Sequence, residues 1–494
     1  MNILLVYPKY PDTYWSFRHA LRFISKKAAV PPLGLITVSA MLPTTWTRRL
    51  VDMNVSELLP SDLGWADYIF ISAMYVQKDS VQQILNTCAD FPAKIVAGGP
   101  LFTKEYESFP QVDHFILNEA EITLPLFLAD LGTLDGPARV YQTTEYADMS
   151  LSPVPEFHLL SVKDYASMNL QVARGCPYSC DFCEISSLLG HKVRSKSPEQ
   201  ITLELDALYK TNWRGPISIV DDNFIGNPAF LKRKLLPAIN RWMKAHRYPF
   251  IFNTQTSINL ADDEQLMQQM TETGFRSTFI GIETPDDTTL QECNKFQNEH
   301  RDMLSSVKKI QQSGLYVSAG FIVGFDSDEP SIFQRQINFI QQSGIVSAMV
   351  GLLNAPKNTK LHQQMKEENR LTTMSSGSNT DFSMNFIPRM NKDELLEGYR
   401  NILKNIYAEK PYYKRVRKLL LTYRRPPAKS RRIEIGYIKG FLRSVIIMGI
   451  AGRGRLQYWK LLIWTLFHRP AGFIDVITYT VYGYHFRMIF GIGK

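Results

Sequence analysis

At 494 residues the chain exceeds what one hydrophobic core of ordinary size organises, so two or three domains are expected. Hydrophobic residues at 45% and charged residues at 21% match a globular protein and exclude both wholesale disorder and a multi-span membrane protein. The formal charge of +9 is uneven: residues 395–494 carry 20 Lys and Arg against 4 Asp and Glu, or +16, which leaves −7 for the rest and points to an anionic partner for the tail, a phospholipid surface or nucleic acid.

Residues 1–140 alternate short apolar runs with helical stretches. ILLVY, TVSAML, YIFISAM, KIVAGG and DHFIL read as parallel strands of a doubly wound α/β sheet. The opening MNILLVYPKY reaches Pro8 and Lys9 too soon for a secretory leader, so a cytoplasmic location is expected. Gly98 and Gly99 follow KIVA directly, where a strand's carboxyl end meets a crevice and backbone approaches a ligand closely. A plain strand-to-helix turn is the competing reading.

Over residues 160–375 the same rhythm runs through LQVARG, ISIVDDN, FIFNTQTS, STFIGIE, VSAGFIVGF and AMVGLLNAP, with helical segments such as PEQITLELDALYK and DEQLMQQMTETG between them. Six such units fit an open, partial (β/α)6 barrel, whose chemistry collects at the carboxyl ends of the strands. Residues 390–494 read as helices rich in aromatic residues and Arg. Lys439, Arg443, Lys460 and Asp475 interrupt their apolar runs, so an interfacial or substrate-covering role is expected rather than a membrane span, with an ordinary helical cap on the barrel as the alternative.

Five cysteines are too few for a disulfide framework, and three fall within eight residues, a clustering that suggests metal binding in a reducing compartment. Cys176, Cys180 and Cys183 are spaced Cys-x3-Cys-x2-Cys directly after a predicted strand. Three thiolates on a 4Fe-4S cubane leave one iron open to bind and reduce a ligand. Structural zinc is the competing metal and normally wants four ligands, the fourth being His191, but a strand-end loop is not the paired knuckle zinc uses. Cys88 and Cys293 read as packing or surface residues.

With the aromatic Phe182 just before its last cysteine, the triplet resembles the signature of the radical S-adenosylmethionine (SAM) superfamily. That resemblance implies that the amino and carboxylate groups of SAM chelate the open iron and that one electron cleaves its C–S bond to a 5′-deoxyadenosyl radical. Ile280-Gly-Ile-Glu283-Thr-Pro285 resembles the strand whose Glu lies near the cofactor. Gly320-Phe-Ile322-Val-Gly324 resembles the Gly-rich strand against which adenine packs, and Leu353-Asn-Ala-Pro356 the loop of the closing strand. Asp221, Asp222 and Asn223 end ISIVDDN at the rim where a ribose or sulfonium group would lie; helix capping is the alternative, and Arg174 is expected to pair with one of these acids.

Pro31-Pro32-Leu33-Gly34-Leu35, Ala97-Gly98-Gly99-Pro100 and Asn118-Glu119-Ala120-Glu121 resemble the cobalamin-binding domains that precede many such barrels. The loop after the first strand, Tyr7-Pro-Lys-Tyr-Pro-Asp12-Thr, departs from that pattern: it lacks Asp-x-His-x-x-Gly, so no lower His ligand is apparent, and His19 reads as a surface residue. Across nearly the whole chain, stretches such as Val220-Asp-Asp-Asn-Phe-Ile-Gly226 and Trp459-Lys460 are similar to the hopanoid 2-methylase-like subfamily. This implies methyl transfer to a carbon centre, a hydrophobic or lipid acceptor such as a hopanoid, and an electron donor such as flavodoxin or ferredoxin. Peripheral membrane contact through Trp459, Trp464, Phe467, Phe473, Tyr482 and Phe486 fits such an acceptor. Radical chemistry without methyl transfer (cyclisation, rearrangement or oxidation) stays open. Nucleic acid is not expected, because the tRNA-methylthiolating relatives carry further N-terminal cysteines, where this chain has only Cys88; a non-catalytic carrier conflicts with the intact triplet.

Overall fold

Four successive apolar residues all leave water in a strand when it is covered on both faces. In the computed structural model, which describes residues 1–373, 376–378, 380–427 and 435–492, Ile3 to Val6 are all fully buried. They lie in β1 (Asn2–Tyr7), which joins β2 (Thr47–Asp52), β3 (Tyr68–Ser72), β4 (Lys94–Gly98), β5 (His114–Ile116) and β6 (Val140–Tyr141) in an all-parallel sheet of order β2-β1-β3-β4-β5-β6. The strand order reverses between β1 and β3, so the crevice of this sheet opens beyond their carboxyl ends.

Two expectations fail here. After β1 come two helices, α1 (Arg18–Ile24) and α2 (Leu33–Met41), and TVSAML belongs to α2, where Thr37 Oγ1 donates to the Leu33 carbonyl one turn back at 2.8 Å. Leu35, Ile36, Thr37 and Ser39 are all buried, and a helix covered on several sides reads locally like a buried strand. The missing strand is TRRLVD, β2, on the sheet's edge; Thr47 and Arg49 face solvent, the polar dress of an edge strand. A further helix, α3 (Ala120–Asp130), follows β5.

The second sheet is the open barrel. Its parallel strands β7 (Met168–Leu170), β10 (Pro216–Ile219), β11 (Ile251–Thr256), β12 (Phe275–Glu283), β13 (Tyr316–Val323) and β14 (Ala348–Leu352) neighbour one another in chain order, while β8 (Ala173–Arg174) and β9 (Arg194–Ser195) form a small antiparallel hairpin around the cysteine segment. The helix PEQITLELDALYK spans Pro198–Lys210; Ser197 accepts from the Gln200 backbone at 3.2 Å and Gln200 reaches back to the Ser197 N–H at 2.9 Å, a reciprocal cap.

An open barrel leaves an unpaired edge, here β14. α4 (Lys392–Tyr407) covers it: Tyr407 donates to the Ala348 carbonyl at 2.6 Å and Tyr399 to the Val350 carbonyl at 3.0 Å, alternate residues of one strand edge. Then come α5 (Glu409–Thr422), α6 (Ile435–Ser444) with its π-helical continuation Val445–Ile450, α7 (Arg455–His468) and α8 (Phe473–Ile489). α8 closes the amino-terminal end of the barrel, with Tyr479 stacked on Tyr316 at the start of β13 (4.9 Å) and Phe486 stacked on Tyr14 (4.5 Å). This corrects the expected lipid-facing set. Phe486 is fully buried, Trp464, Phe473 and Tyr482 are partly covered, and Trp459 and Phe467 remain exposed. Among the described residues no helix is long and apolar enough to cross a membrane.

Candidate functional site

The cysteine loop is built by backbone before any ligand is considered. Gly175 turns it with φ +92°, and a Cβ there would lie 2.5 Å from the Lys192 carbonyl, so the position admits glycine alone. The Cys176 N–H donates to the Gly190 carbonyl at 3.2 Å and that of Cys183 to the Cys180 carbonyl at 3.0 Å. Asp181 binds the segment after β12, donating its N–H to the Cys293 carbonyl (3.1 Å) and accepting from Asn294 Nδ2 (2.6 Å). Burial raises the thiol pKa of Cys176, and pushes that of Cys183 up to about 12. Metal binding must therefore displace protons.

Lys295 was not foreseen from sequence. Its Nζ lies 2.7 Å from Glu283 Oε1, largely buried, and although burial opposes the charge, Glu283, joined by the sulfurs of Cys180 and Cys183 once ionised, holds the ammonium pKa above its ordinary value. Glu283 ends β12 with φ +62°, at a register shift between Gly281 and Glu283. A left-handed backbone at a non-glycine residue is characteristic of a functional site. A Cβ on Gly281 would collide with Glu283 Oε1 and come within 2.8 Å of Lys295 Nζ.

Among the described residues no three His, Cys, Asp or Glu side chains converge as a single metal ion requires. His191, the fourth ligand a zinc site would need, is exposed. A cubane instead takes each thiolate on a different iron, which a loop spreading three thiols suits. These three cysteines could hold such a cluster.

A cavity of about 860 Å³ joins the two sheets. Phe182, Asp222, Glu283, Gly320 and Ile322 line it from the barrel, and Gly98 and Gly99 from the carboxyl end of β4 in the first sheet. On that side it runs into an apolar slot between α2 (Val38, Met41) and the strands (Phe70, Val96, Ile116). Asp222 Oδ2 is buried without a hydrogen-bond partner, and burial pushes its carboxyl up to about 6. Gly99 has φ +91°, and a Cβ on Gly98 would stand 2.7 Å from the Ile116 carbonyl, so strand packing requires these glycines as well as the cavity they border.

Five predicted residues do not line the cavity: Cys176, Cys180 and Cys183, whose loop reaches it only through Phe182 and its neighbours, and Asp221 and Gly324. Asp221 turns inward and accepts from the Val172 N–H at 2.7 Å, and Gly324 makes a tight turn, φ +105°, against Leu395 and Met384. Asn223 occupies the N-cap position of the short turn Phe224–Gly226, but its side chain does not cap it: its Oδ1 accepts from the Ser257 N–H at 3.2 Å. Arg174 does not pair with Asp221 or Asp222. It grips Glu121 of α3 with two bonds of 2.8 and 2.9 Å, while Arg194 grips Glu119 at 2.7 and 2.8 Å, so the hairpin framing the cysteines is bolted to the first sheet's domain. His19 is half-buried, its ring 5.8 Å from that of His485. His362 is the cavity's one lining imidazole among the described residues.

Residues 170–339 match the family model described as the Radical SAM superfamily, and residues 359–492 match a domain of unknown function, DUF4070. The chain is 37% identical, over 98% of its length and 91% of the relative's, to an uncharacterized methyltransferase of Synechocystis sp.. It is 31% identical, over 93% of its length and 88% of the relative's, to the hopanoid C-2 methylase of Rhodopseudomonas palustris. Its fold matches the cobalamin-dependent SAM radical enzyme OxsB at a TM-score of 0.64 (16% identity, 99% of this chain and 80% of that one). It also matches the radical SAM methyltransferase TsrM of Kitasatospora setae at 0.62 (12% identity, 93% of this chain and 98% of that one). The chain belongs to the radical SAM superfamily, in the methyltransferase family of these 37% and 31% identical relatives. As a member it is an enzyme that uses a 4Fe-4S cluster and SAM.

Proposed function

We propose that the protein is a cobalamin-dependent radical SAM methyltransferase that methylates a carbon of a hydrophobic, lipid-like acceptor. The observation that carries the reading is the single cavity that Phe182 beside the cysteines, Glu283 of the barrel and Gly98 and Gly99 of the first sheet all border. When bound, the cluster with SAM supplies hydrogen abstraction and cobalamin supplies the methyl group.

The chain's own residues bind and orient. Cys176, Cys180 and Cys183 offer three thiolates, with the Lys295 ammonium beside them to offset their charge. The partnerless oxygen of Asp222 is ready to accept from a hydroxyl or an ammonium group. Gly98 and Gly99 present bare backbone to the cavity, and the slot beneath α2 suits a flat heterocyclic tail, which supports cobalamin; Met74 and Tyr75 also line the cavity. Phe279, Ile322, Met349 and Leu352 give the barrel side an apolar wall that excludes water and favours a hydrophobic acceptor. The hopanoid C-2 methylase among the relatives supports an acceptor of that class. A one-electron donor such as flavodoxin or ferredoxin completes the cycle.

The test is transfer of label from methyl-labelled SAM, under anaerobic reduction, into a neutral-lipid extract. Label in an organic-soluble product is the expected result. By-products of SAM turnover without labelled lipid would overturn the acceptor class.

A further inference from the structure

The outward faces of α6 and α7 are both apolar and basic. Ile438, Leu442, Ile446 and Ile450 recur every four residues along α6 and its π-helical continuation, and each is more than half exposed, from 54% to 62%. On α7, Leu456, Ile463, Leu466 and Phe467 are likewise more than half exposed, with Leu456 at 70% and Phe467 at 82%. The opposite faces bury Ser444, Met448, Tyr458, Leu461 and Leu462, so these helices are docked on the protein and not swung loose. Arg443 fastens α6 to α1 by donating to Ser25 Oγ at 2.8 Å.

Single exposed apolar residues need no explanation, but two continuous stripes on adjoining helices do. The charge around them selects the occupant. Residues 435–474 contain six Lys and Arg and no Asp or Glu, and Lys439, Arg455, Lys460 and Arg469 are exposed. A second copy of this surface would set cations against cations. No helix among the described residues can span a bilayer, so contact must be in the plane of the surface.

We propose that α6 and α7 dock the enzyme on an anionic phospholipid surface, with the apolar stripes at the headgroup–acyl boundary and the cations among the headgroups. This rests on exposure and charge alone, and stands or falls separately from the methyltransferase reading.

The test is flotation of the full-length, cluster-loaded protein with phosphatidylcholine vesicles, with and without phosphatidylglycerol. Bound protein should rise on the order of tenfold or more with the anionic lipid and fall as salt is raised. A Leu456→Ser/Phe467→Ser variant should lose most of that binding, and Lys439→Glu/Lys460→Glu should lose the preference for anionic lipid. Both should keep the wild-type melting temperature and cluster absorbance, and both should still form 5′-deoxyadenosine. Failure of the wild type to float at low salt would overturn the proposal, as would flotation indifferent to both variants, RNA binding as tight as vesicle binding, or a dimer that Leu456→Ser/Phe467→Ser converts to monomer.

Discussion

Arg174→Leu should destabilise the joint between the two sheets severely, because it strands a buried carboxylate. The side chains of Arg174 and Glu121 are 13% and 3% exposed and share two charge-assisted bonds of 2.8 and 2.9 Å. Removing one partner of such a pair costs about 3–5 kcal/mol. Glu121 sits in the first turn of α3, whose positive end returns roughly 0.3–1 kcal/mol, so a loss near the lower bound is expected. Replacing both residues by Leu should recover most of it, leaving a coupling of about 2 kcal/mol or more in a double-mutant cycle followed by urea unfolding. Burial works against the Glu121 charge, yet the Arg174 hydrogen bonds hold its carboxyl below the ordinary value. The pair's contribution is therefore present above the ordinary Glu pKa of about 4.3 and lost as pH falls through the lowered one. Wild type and Arg174→Leu should draw together as pH falls below the ordinary Glu value and converge only beneath the lowered value of the paired carboxyl. Single variants within about 0.5 kcal/mol of wild type, or effects that simply add, would refute the reasoning.

Asp221→Asn should stabilise the apo protein at pH 8 relative to pH 5, measured by thermal melting. Burial pushes the Asp221 carboxyl up to about 7, so its contribution is complete below about pH 4 and drains away as pH rises to 7, by at most about 4 kcal/mol. Gly98→Val should cost about 1–3 kcal/mol through the Ile116 carbonyl and abolish retention of cobalamin after gel filtration, while the iron content of the cysteine loop is unchanged. Lys295→Met should leave Glu283 buried and unpaired, and should lower the midpoint potential of the cluster in redox titration, because a cation beside Cys180 and Cys183 is removed.

What could be read in advance follows from where the information lies along the chain. Cys176, Cys180, Phe182 and Cys183 fall within eight residues of one local loop, so the spacing offers the three cysteines together as a candidate ligand set. The β1 strand was legible because both its faces are buried. TVSAML was misread for a related reason: α2 is covered on several sides, while the true strand TRRLVD wears the polar residues of an edge. Arg174 with Glu121 and Lys295 with Glu283 join residues from different elements, and only the docking of the two sheets and the turn after β12 decides those partners. The helical periods of α6, α7 and α8 were plain, but their buried faces were not. Tyr479 and Phe486 suit a packed core as well as an interface, and the barrel's open amino-terminal end claimed them, while the Tyr458 hydroxyl meets Ser444 Oγ between α7 and α6 at 2.7 Å.

The central claim is tested most directly by reconstituting the enzyme anaerobically with iron, sulfide and cobalamin, adding SAM and a strong reductant, and quantifying 5′-deoxyadenosine and S-adenosylhomocysteine in one sample. Both products should appear together, and both should vanish in Cys180→Ala. 5′-Deoxyadenosine without S-adenosylhomocysteine would contradict methyl transfer, and neither product from a fully loaded cluster would contradict the radical chemistry itself.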